Sequence, residues 1–352
     1  MTRLFASLTL LVAAAAQPCA AQQVNVPAFS LPPSSQLSPE ARKVLIRMRE
    51  ETAPKSIAGD IVKQRAFYQA WNDRRLVEMH RVFATRTAHE LIGGVAVDIV
   101  TPTGGVPPAQ ANRVLLNVHG GAFMWGSGSG ALVEAIPIAA TMKVKVITVD
   151  YRMTPEHHYP AASEDVTAVY RALLKRYRPE NIGIYGCSAG GVITAQATAW
   201  IHRQRLPRPG AIGTFCGTGA GYSGDSPYLA GPTTDGDVLA APSLPATIPS
   251  PYMAGVAADD PQAYPLDADA EVKAMPPTLL LAGGRDFAVS ALTLAHRRLA
   301  KAGVESQLHI FDGLPHAFFM WPDMPESREA YRIVSTFFDR HLGSRPLERN
   351  DQ

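Results

Sequence analysis

Cysteine is scarce in this 352-residue chain, with three in all. No Cys/His spacing fits a zinc site, and the adjacent pair His157-His158 points its side chains apart on either a strand or a helix. Net charge is nearly absent. The 33 Lys and Arg oppose 31 Asp and Glu, leaving +2. That balance excludes a protein whose main partner is nucleic acid or an anionic membrane surface. Long hydrophobic runs are missing too, apart from one of 13 residues at Leu4–Ala16. A spanning helix needs roughly 20 such residues, so a multi-span membrane protein is excluded. What is present excludes disorder. The chain is 46% hydrophobic and only 18% charged, enough apolar surface to offset chain entropy. The 28 Gly and 29 Pro imply many turns and argue against a long helical bundle. The length suits one large α/β domain with insertions, or two smaller domains.

The first residues read as an export signal over 1–21. Arg3 supplies the positive start and Leu4–Ala16 the apolar stretch. Pro18 ends the stretch, and Cys19-Ala20-Ala21 offers small residues for cleavage. The residues before Cys19, Ala16-Gln17-Pro18, make a poor signal for lipid attachment. The mature protein is therefore expected to start near Gln22, to be exported to the periplasm or the medium, and to hold no integral membrane segment. It keeps Cys187 and Cys216. Both lie in apolar or Gly-rich surroundings, which fits two buried free thiols better than a disulfide.

Residues 22–37 are polar and Pro-rich, a linker. Ser38-Pro39-Glu40 is a helix start, with a capping residue, a proline at the first helical position and an acid. Helical pattern runs to about Glu51 and again from Ile61 to Phe83. From residue 90 short apolar runs take over: Glu90–Ile92, Val95–Val100, Val114–Val118, Val144–Val149, Ile182–Tyr185, Ala211–Cys216, Thr278–Ala282 and Gln307–Phe311. Helical stretches fall between them at Ala161–Tyr177, Gly191–Gln204, Ser290–Ala302 and Ser327–His341. This alternation predicts a mostly parallel sheet covered on both faces. Residues 217–275 interrupt it with Gly, Pro, Asp and Ala, as an inserted cap would. One domain is expected over 38–342, capped by 38–83 and 217–275, with a polar tail at 343–352.

Gly186-Cys187-Ser188-Ala189-Gly190 is a G-x-S-x-G pentapeptide. Such a string arises by chance in about one chain in ten of this size. Its context gives it weight. The strand Ile182–Tyr185 runs into it and a helical pattern leaves it, which is the strand–turn–helix that a nucleophile elbow requires. A serine hydroxyl is a poor nucleophile at neutral pH and needs a base, which needs an orienting acid. In this topology acid and then histidine follow the serine. Asp286 follows the strand Thr278–Ala282 and the turn Gly283-Gly284-Arg285. His316 follows the strand Gln307–Phe311 and the turn Asp312–Pro315. Both fall at the strand ends that carry Ser188.

His119-Gly120-Gly121-Ala122 directly follows the strand ending at Val118. An acyl-transfer transition state places negative charge on the former carbonyl oxygen, and preorganised N–H donors stabilise it by about 3 kcal/mol each. Gly120, Gly121 and Ala122, joined by Ala189 after the nucleophile, are the candidate donors. His119 is expected to order the loop. Phe123, Trp125 and Phe318 are candidate walls of the substrate pocket, with core packing as the competing assignment. No metal or cofactor is expected.

These residues together resemble a known family: the α/β-hydrolase fold and, within it, the hormone-sensitive-lipase-like carboxylesterases. The resemblance covers roughly residues 90–342. It rests on His119-Gly120-Gly121, Asp150-Tyr151-Arg152, Pro155-Glu156-His157 followed by Pro160-Ala161-Ala162, Glu164-Asp165, Gly186–Gly191, Gly284-x-Asp286 and His316-Ala317-Phe318. It implies an eight-stranded, mostly parallel sheet flanked by helices, with a helical cap. It also implies cofactor-free hydrolysis of short to medium acyl esters or lactones. Nucleophile, acid and base then fall on Ser188, Asp286 and His316. Bacterial proteins described as epsilon-lactone hydrolases look similar around Asp150 and Ser188. Members often dimerise through the last strand, so a monomer or homodimer is expected. Three positions depart from the family pattern. Ala122 stands where a third glycine is usual, and a methyl there is tolerated unless the residue needs positive φ. Cys187 stands where Asp is common. Ser290 stands where a second Asp often follows the catalytic acid. Asp150, Arg152, Glu156 and Asp165 are expected to form a structural polar network.

The leading expectation is an exported serine hydrolase acting on a small-molecule ester. Two others share the pattern. An amidase or peptidase would use the same triad. A catalytically silent binding protein on the same scaffold would typically lose a triad member, and all three stand here.

Overall fold

The central apolar runs, from Val114–Val118 to Thr278–Ala282, form strands buried on both faces, and their side chains alternate between two cores. In the computed structural model, which describes residues 30–234 and 248–343, the strands are β1 (Thr85–Ile92), β2 (Val95–Pro102), β3 (Val114–Val118), β4 (Lys145–Val149), β5 (Ile182–Cys187), β6 (Ala211–Phe215), β7 (Thr278–Arg285) and β8 (Ser306–Pro315). They make one eight-stranded sheet in the order β1-β2-β4-β3-β5-β6-β7-β8. β2 runs antiparallel to both β1 and β4, and every other pairing is parallel. The expected α/β-hydrolase architecture is therefore present. The expected export signal over 1–21, the linker up to residue 29, residues 235–247 and the tail from 344 lie outside the described residues.

The helices are α1 (Pro39–Glu50), α2 (Ile61–Val82), α3 (Ser129–Met142), α4 (Ala161–Leu173), α5 (Ala189–Arg203), α6 (Ser226–Thr234), α7 (Asp269–Ala274), α8 (Val289–Lys301) and α9 (Pro325–His341). Leu116, Ile184 and Leu280 face a core shared with α4, α5 and α8. Their neighbours Leu115, Tyr185 and Leu281 face the opposite core, shared with α3 and α9 and reached by Ala41 and Val44 of α1 and Met79 of α2. The alternation follows from the two-residue period of a strand. α3 is not legible as a helix from hydrophobic periodicity. Almost all of that helix is buried and it contains Pro137, so it shows no polar stripe to reveal a helical period.

Ser38 caps α1, accepting from Ala41 N–H while its own N–H and hydroxyl donate to Glu326 on α9. The last part of the expected linker is packed rather than loose. Leu37 is buried, and the Ser34 hydroxyl donates to Asp312. Everything described from Pro33 onward belongs to one compact unit. The described part of 248–275 folds into the core beside α4 and α5 through Ile248, Tyr252, Met253, Tyr264 and Leu266. Among the described residues no helix is long and apolar enough to cross a membrane.

Candidate active site

Parallel register sets the site. Val118, the last residue of β3, pairs with Gly186 of β5 and Val149 of β4. Cys187 pairs with Phe215, and the end of β7 pairs with the end of β8 at Arg285 and Pro315. His119, Ser188, Asp286 and His316 are the next residues after β3, β5, β7 and β8, so all four emerge at one edge of the sheet.

Ser188 sits at a left-handed turn, φ 57 and ψ −123, and begins α5. The flanking glycines are required by close approach. A Cβ at Gly186 would lie 2.2 Å from the Val118 carbonyl oxygen, and one at Gly190 would lie 1.8 Å from it. The Ser188 N–H donates to the Phe215 carbonyl at 2.7 Å. Cys187 points into the α3/α9 core, away from the cavity described below.

His316 Nδ1 lies 3.0 Å from both carboxylate oxygens of Asp286. Asp286 is buried, and its Oδ1 also accepts the Ala288 N–H at 2.8 Å. The Phe287 ring stacks on the imidazole, centroids 4.5 Å apart. The bulge near Gly283 brings β7 against β8: a Cβ there would meet the Leu314 carbonyl oxygen at 2.1 Å. Ser290 and Ser226 exchange hydrogen bonds, each hydroxyl accepting the other's N–H. That reciprocal pair ties α6 to the start of α8.

Ser188 and His316 line one cavity of about 520 Å³ together with Gly120, Gly121, Ala122 and Trp125. The cavity is otherwise walled by Gly126, by Tyr68, Trp71 and Asn72 of α2, by Gly130 and Glu134 of α3, and by Phe287, Ala317 and Met320. No described residue of 217–275 lines it, so α2 supplies the described cover. Trp125, on the same cavity, stacks on Tyr68 with centroids 4.2 Å apart.

Phe123 and Phe318 do not reach the cavity and are corrected to core residues. Phe123 stacks on Tyr252 with an interplanar angle of 4°. Its backbone is left-handed, φ 63, which turns the ring away from the loop's open side. Phe318 follows the left-handed Ala317 and packs against Phe311 and Phe319. The residues that sequence reasoning missed are Tyr68, Asn72, Phe287 and Glu134. Glu134 carried a legible signal, as the single acid in the apolar run Ala131–Met142.

The loop after β3 is built on left-handed backbone at Gly121, Ala122 and Phe123. Among the described residues the N–H groups of Gly121, Ala122 and Ala189 have no protein acceptor. Gly120 differs from the expectation for it. Its N–H is committed to Glu134 Oε1 at 2.7 Å. His119 is buried and stacked on Tyr151, whose hydroxyl donates to the His119 carbonyl. Burial holds the imidazole neutral by lowering its pKa to about 4, which fits a structural residue. Arg152 bonds Asp165 and Glu164, and Glu156 pairs with Arg65 of α2. None of these residues lines the cavity. Among the described residues, Cys216, Asp286 and His316 form the cluster of potential metal ligands, with ligand atoms within 4.8 Å of one another. There the imidazole and the carboxylate are already bonded to each other.

Comparison with known proteins places the chain in a family. Residues 115–320 fit the family model described as alpha/beta hydrolase fold. Esterase LipU of Mycobacterium tuberculosis is 30% identical over 264 residues, 70% of this chain and 84% of its own. Among solved structures, that of an esterase E25 superposes with a TM-score of 0.75 at 29% identity, covering 91% of this chain and 99% of the other. An esterase from the bacterial hormone-sensitive lipase family superposes with a TM-score of 0.72 at 25% identity, covering 87% and 99%. The chain belongs to the α/β-hydrolase family, in its hormone-sensitive-lipase-like branch of carboxylic ester hydrolases.

Proposed function

We propose that the protein hydrolyses uncharged esters of short to medium acyl chains, and lactones, through an acyl-enzyme on Ser188. His316 takes the serine proton and later returns it to the leaving alcohol. Asp286 holds the imidazole tautomer and stabilises the imidazolium that forms. Water then attacks the acyl-enzyme with His316 again as base. The N–H groups of Gly121, Ala122 and Ala189 receive the oxyanion, and the α5 N-terminus adds its positive end. The observation that carries the reading is the cavity holding Ser188 and His316, with the imidazole's far nitrogen on a buried carboxylate. Its volume of about 520 Å³ lies within the roughly 300–1,000 Å³ common for small-molecule sites. Its aromatic walls suit an acyl chain better than a charged substrate. Export to the periplasm or the medium belongs to the same proposal and is supported by residues 1–21 of the sequence.

The test is hydrolysis of p-nitrophenyl acetate and butyrate by the protein and by Ser188→Ala. Loss of about a thousandfold or more in kcat is expected. Equal rates would overturn the assignment. A panel of esters, lactones and matched anilides then places the substrate.

A further inference from the structure

α3 is apolar on nearly every side, yet it carries one carboxyl group beneath the cavity. Glu134 is 5% exposed. Each of its oxygens has a donor. Gly120 N–H reaches Oε1 at 2.7 Å, and Asn117 Nδ2 reaches Oε2 at 3.2 Å. The Thr148 hydroxyl donates to Asn117 Oδ1 at 2.9 Å and so orients that amide. The carboxylate thus joins β3, the loop that follows it and α3. The fit is close. A Cβ at Gly120 would stand 3.3 Å from Glu134 Oε1 and 3.3 Å from Ser188 Cβ, so Gly120 is lodged between carboxylate and nucleophile. The next three residues are all left-handed. Such backbone persists only when its surroundings hold it.

We propose that Glu134 is a positioning residue for ester hydrolysis: by taking the N–H of Gly120, its carboxylate fixes the loop in the pose that turns the N–H groups of Gly121 and Ala122 toward Ser188. This rests on the acyl-enzyme reading given above. Glu134 acts through Gly120 and leaves the chemistry to Ser188 and His316. The bond is strongest when the carboxyl is ionised, because hydrogen bonds to a charged acceptor are roughly twice as strong as neutral ones. Burial raises the Glu134 pKa to about 7, so the ionised form is gained across neutrality. The groups around it are His316 from the β8 loop, His119 beside Gly120, Cys187 and Tyr185 of β5, Tyr151 after β4 and Tyr331 of α9. Burial keeps His119 neutral above about 4 and pushes the Cys187 thiol and the three phenols up.

The experiment measures kcat and KM on p-nitrophenyl butyrate from pH 5 to 9 for the protein, Glu134→Ala, Glu134→Gln and Ser188→Ala, with folding checked by circular dichroism. Glu134→Ala should lower kcat about tenfold or more with KM little changed. Glu134→Gln should recover most of that loss, since a turned Asn117 amide lets the glutamine oxygen accept from Gly120. Divided by the Glu134→Gln profile, the kcat/KM profile of the protein should rise several-fold through about pH 7, where Glu134 ionises. A folded Glu134→Ala with unchanged kcat, or a Glu134→Gln profile superposing on that of the protein, overturns the inference. If Glu134→Ala does not fold, the ratio of the protein's profile to that of Glu134→Gln decides alone. Ser188→Ala separates the two levels. If it retains activity, the acyl-enzyme reading fails. If it is inactive while both Glu134 variants behave as the protein does, only the role of Glu134 fails.

Discussion

Ala122 shows how much one methyl group decides at the residue scale. Its φ of 52 lies in the left-handed region, where a Cβ costs about 1–2 kcal/mol relative to glycine. The condition that would make a glycine preferable at this position is met. Ala122→Gly removes that strain and adds unfolded-chain entropy worth about 0.5–1 kcal/mol. The net expectation is an unchanged or slightly higher melting temperature, whereas Ala→Gly is destabilising at most sites. Because Ala122 lines the cavity, the same change makes room beside the reacting carbon. Rates on esters of branched alcohols should rise relative to ethyl esters. A drop of several degrees in the thermal midpoint, measured by calorimetry, would contradict the strain argument. Ser188, Asp286 and His316 were legible as strand-end residues because a strand running into a turn announces itself. Glu134 was not read, because nothing local says that an acid in an apolar run faces a glycine N–H contributed by another element.

At the scale of elements, α2 connects stability to the cavity. Arg75, 1% exposed, bonds Glu51 at 2.7 Å and Glu78 at 2.9 Å, with its guanidinium 3.7 Å over the Trp321 ring. Trp71 meets Trp321 edge to face. Within the two turns before Arg75 the same helix places Tyr68, Trp71 and Asn72 on the cavity. Arg65 also holds the Met124 carbonyl, in the loop after β3, at 2.8 Å. Arg75→Met keeps the stem over the ring and strips Glu51 of a buried partner. A loss of about 3 kcal/mol in urea unfolding is expected. KM should rise more than kcat falls, because α2 walls the cavity while Ser188 and His316 hang from the sheet. An unchanged urea midpoint would count against that role. α3 teaches the complementary point. Its periodicity is hidden by burial on all sides, but parallel β3 and β4 demand a crossover of a dozen residues or more, usually a helix. The connection 119–144 was long enough to have announced it.

At the scale of the whole molecule, the core shared with α3 and α9 shields both described thiols. Cys187 and Cys216 are free and fully buried, and burial pushes both thiols up. A thiol reagent should therefore label them only as fast as the molecule unfolds. Stoichiometric labelling within minutes in native buffer would contradict the packing. The eight strands, the helices other than α3, α6 and α7, the strand–turn–helix at Ser188 and the loop carrying His316 lie in local pattern, and the sequence by itself determined them. It did so because period, turn chemistry and strand–turn–helix succession are properties of neighbours in the chain. Only the tertiary structure decided which aromatic rings face the cavity and which face the core. Left-handed backbone at Phe123 and Ala317 sends the adjoining rings inward, and no run of residues displays that. It also decided that α2 rather than 248–275 supplies the described cover, and that the Gly120 N–H belongs to Glu134. Those pairings join residues far apart in the chain, and only packing brings such groups within hydrogen-bond distance.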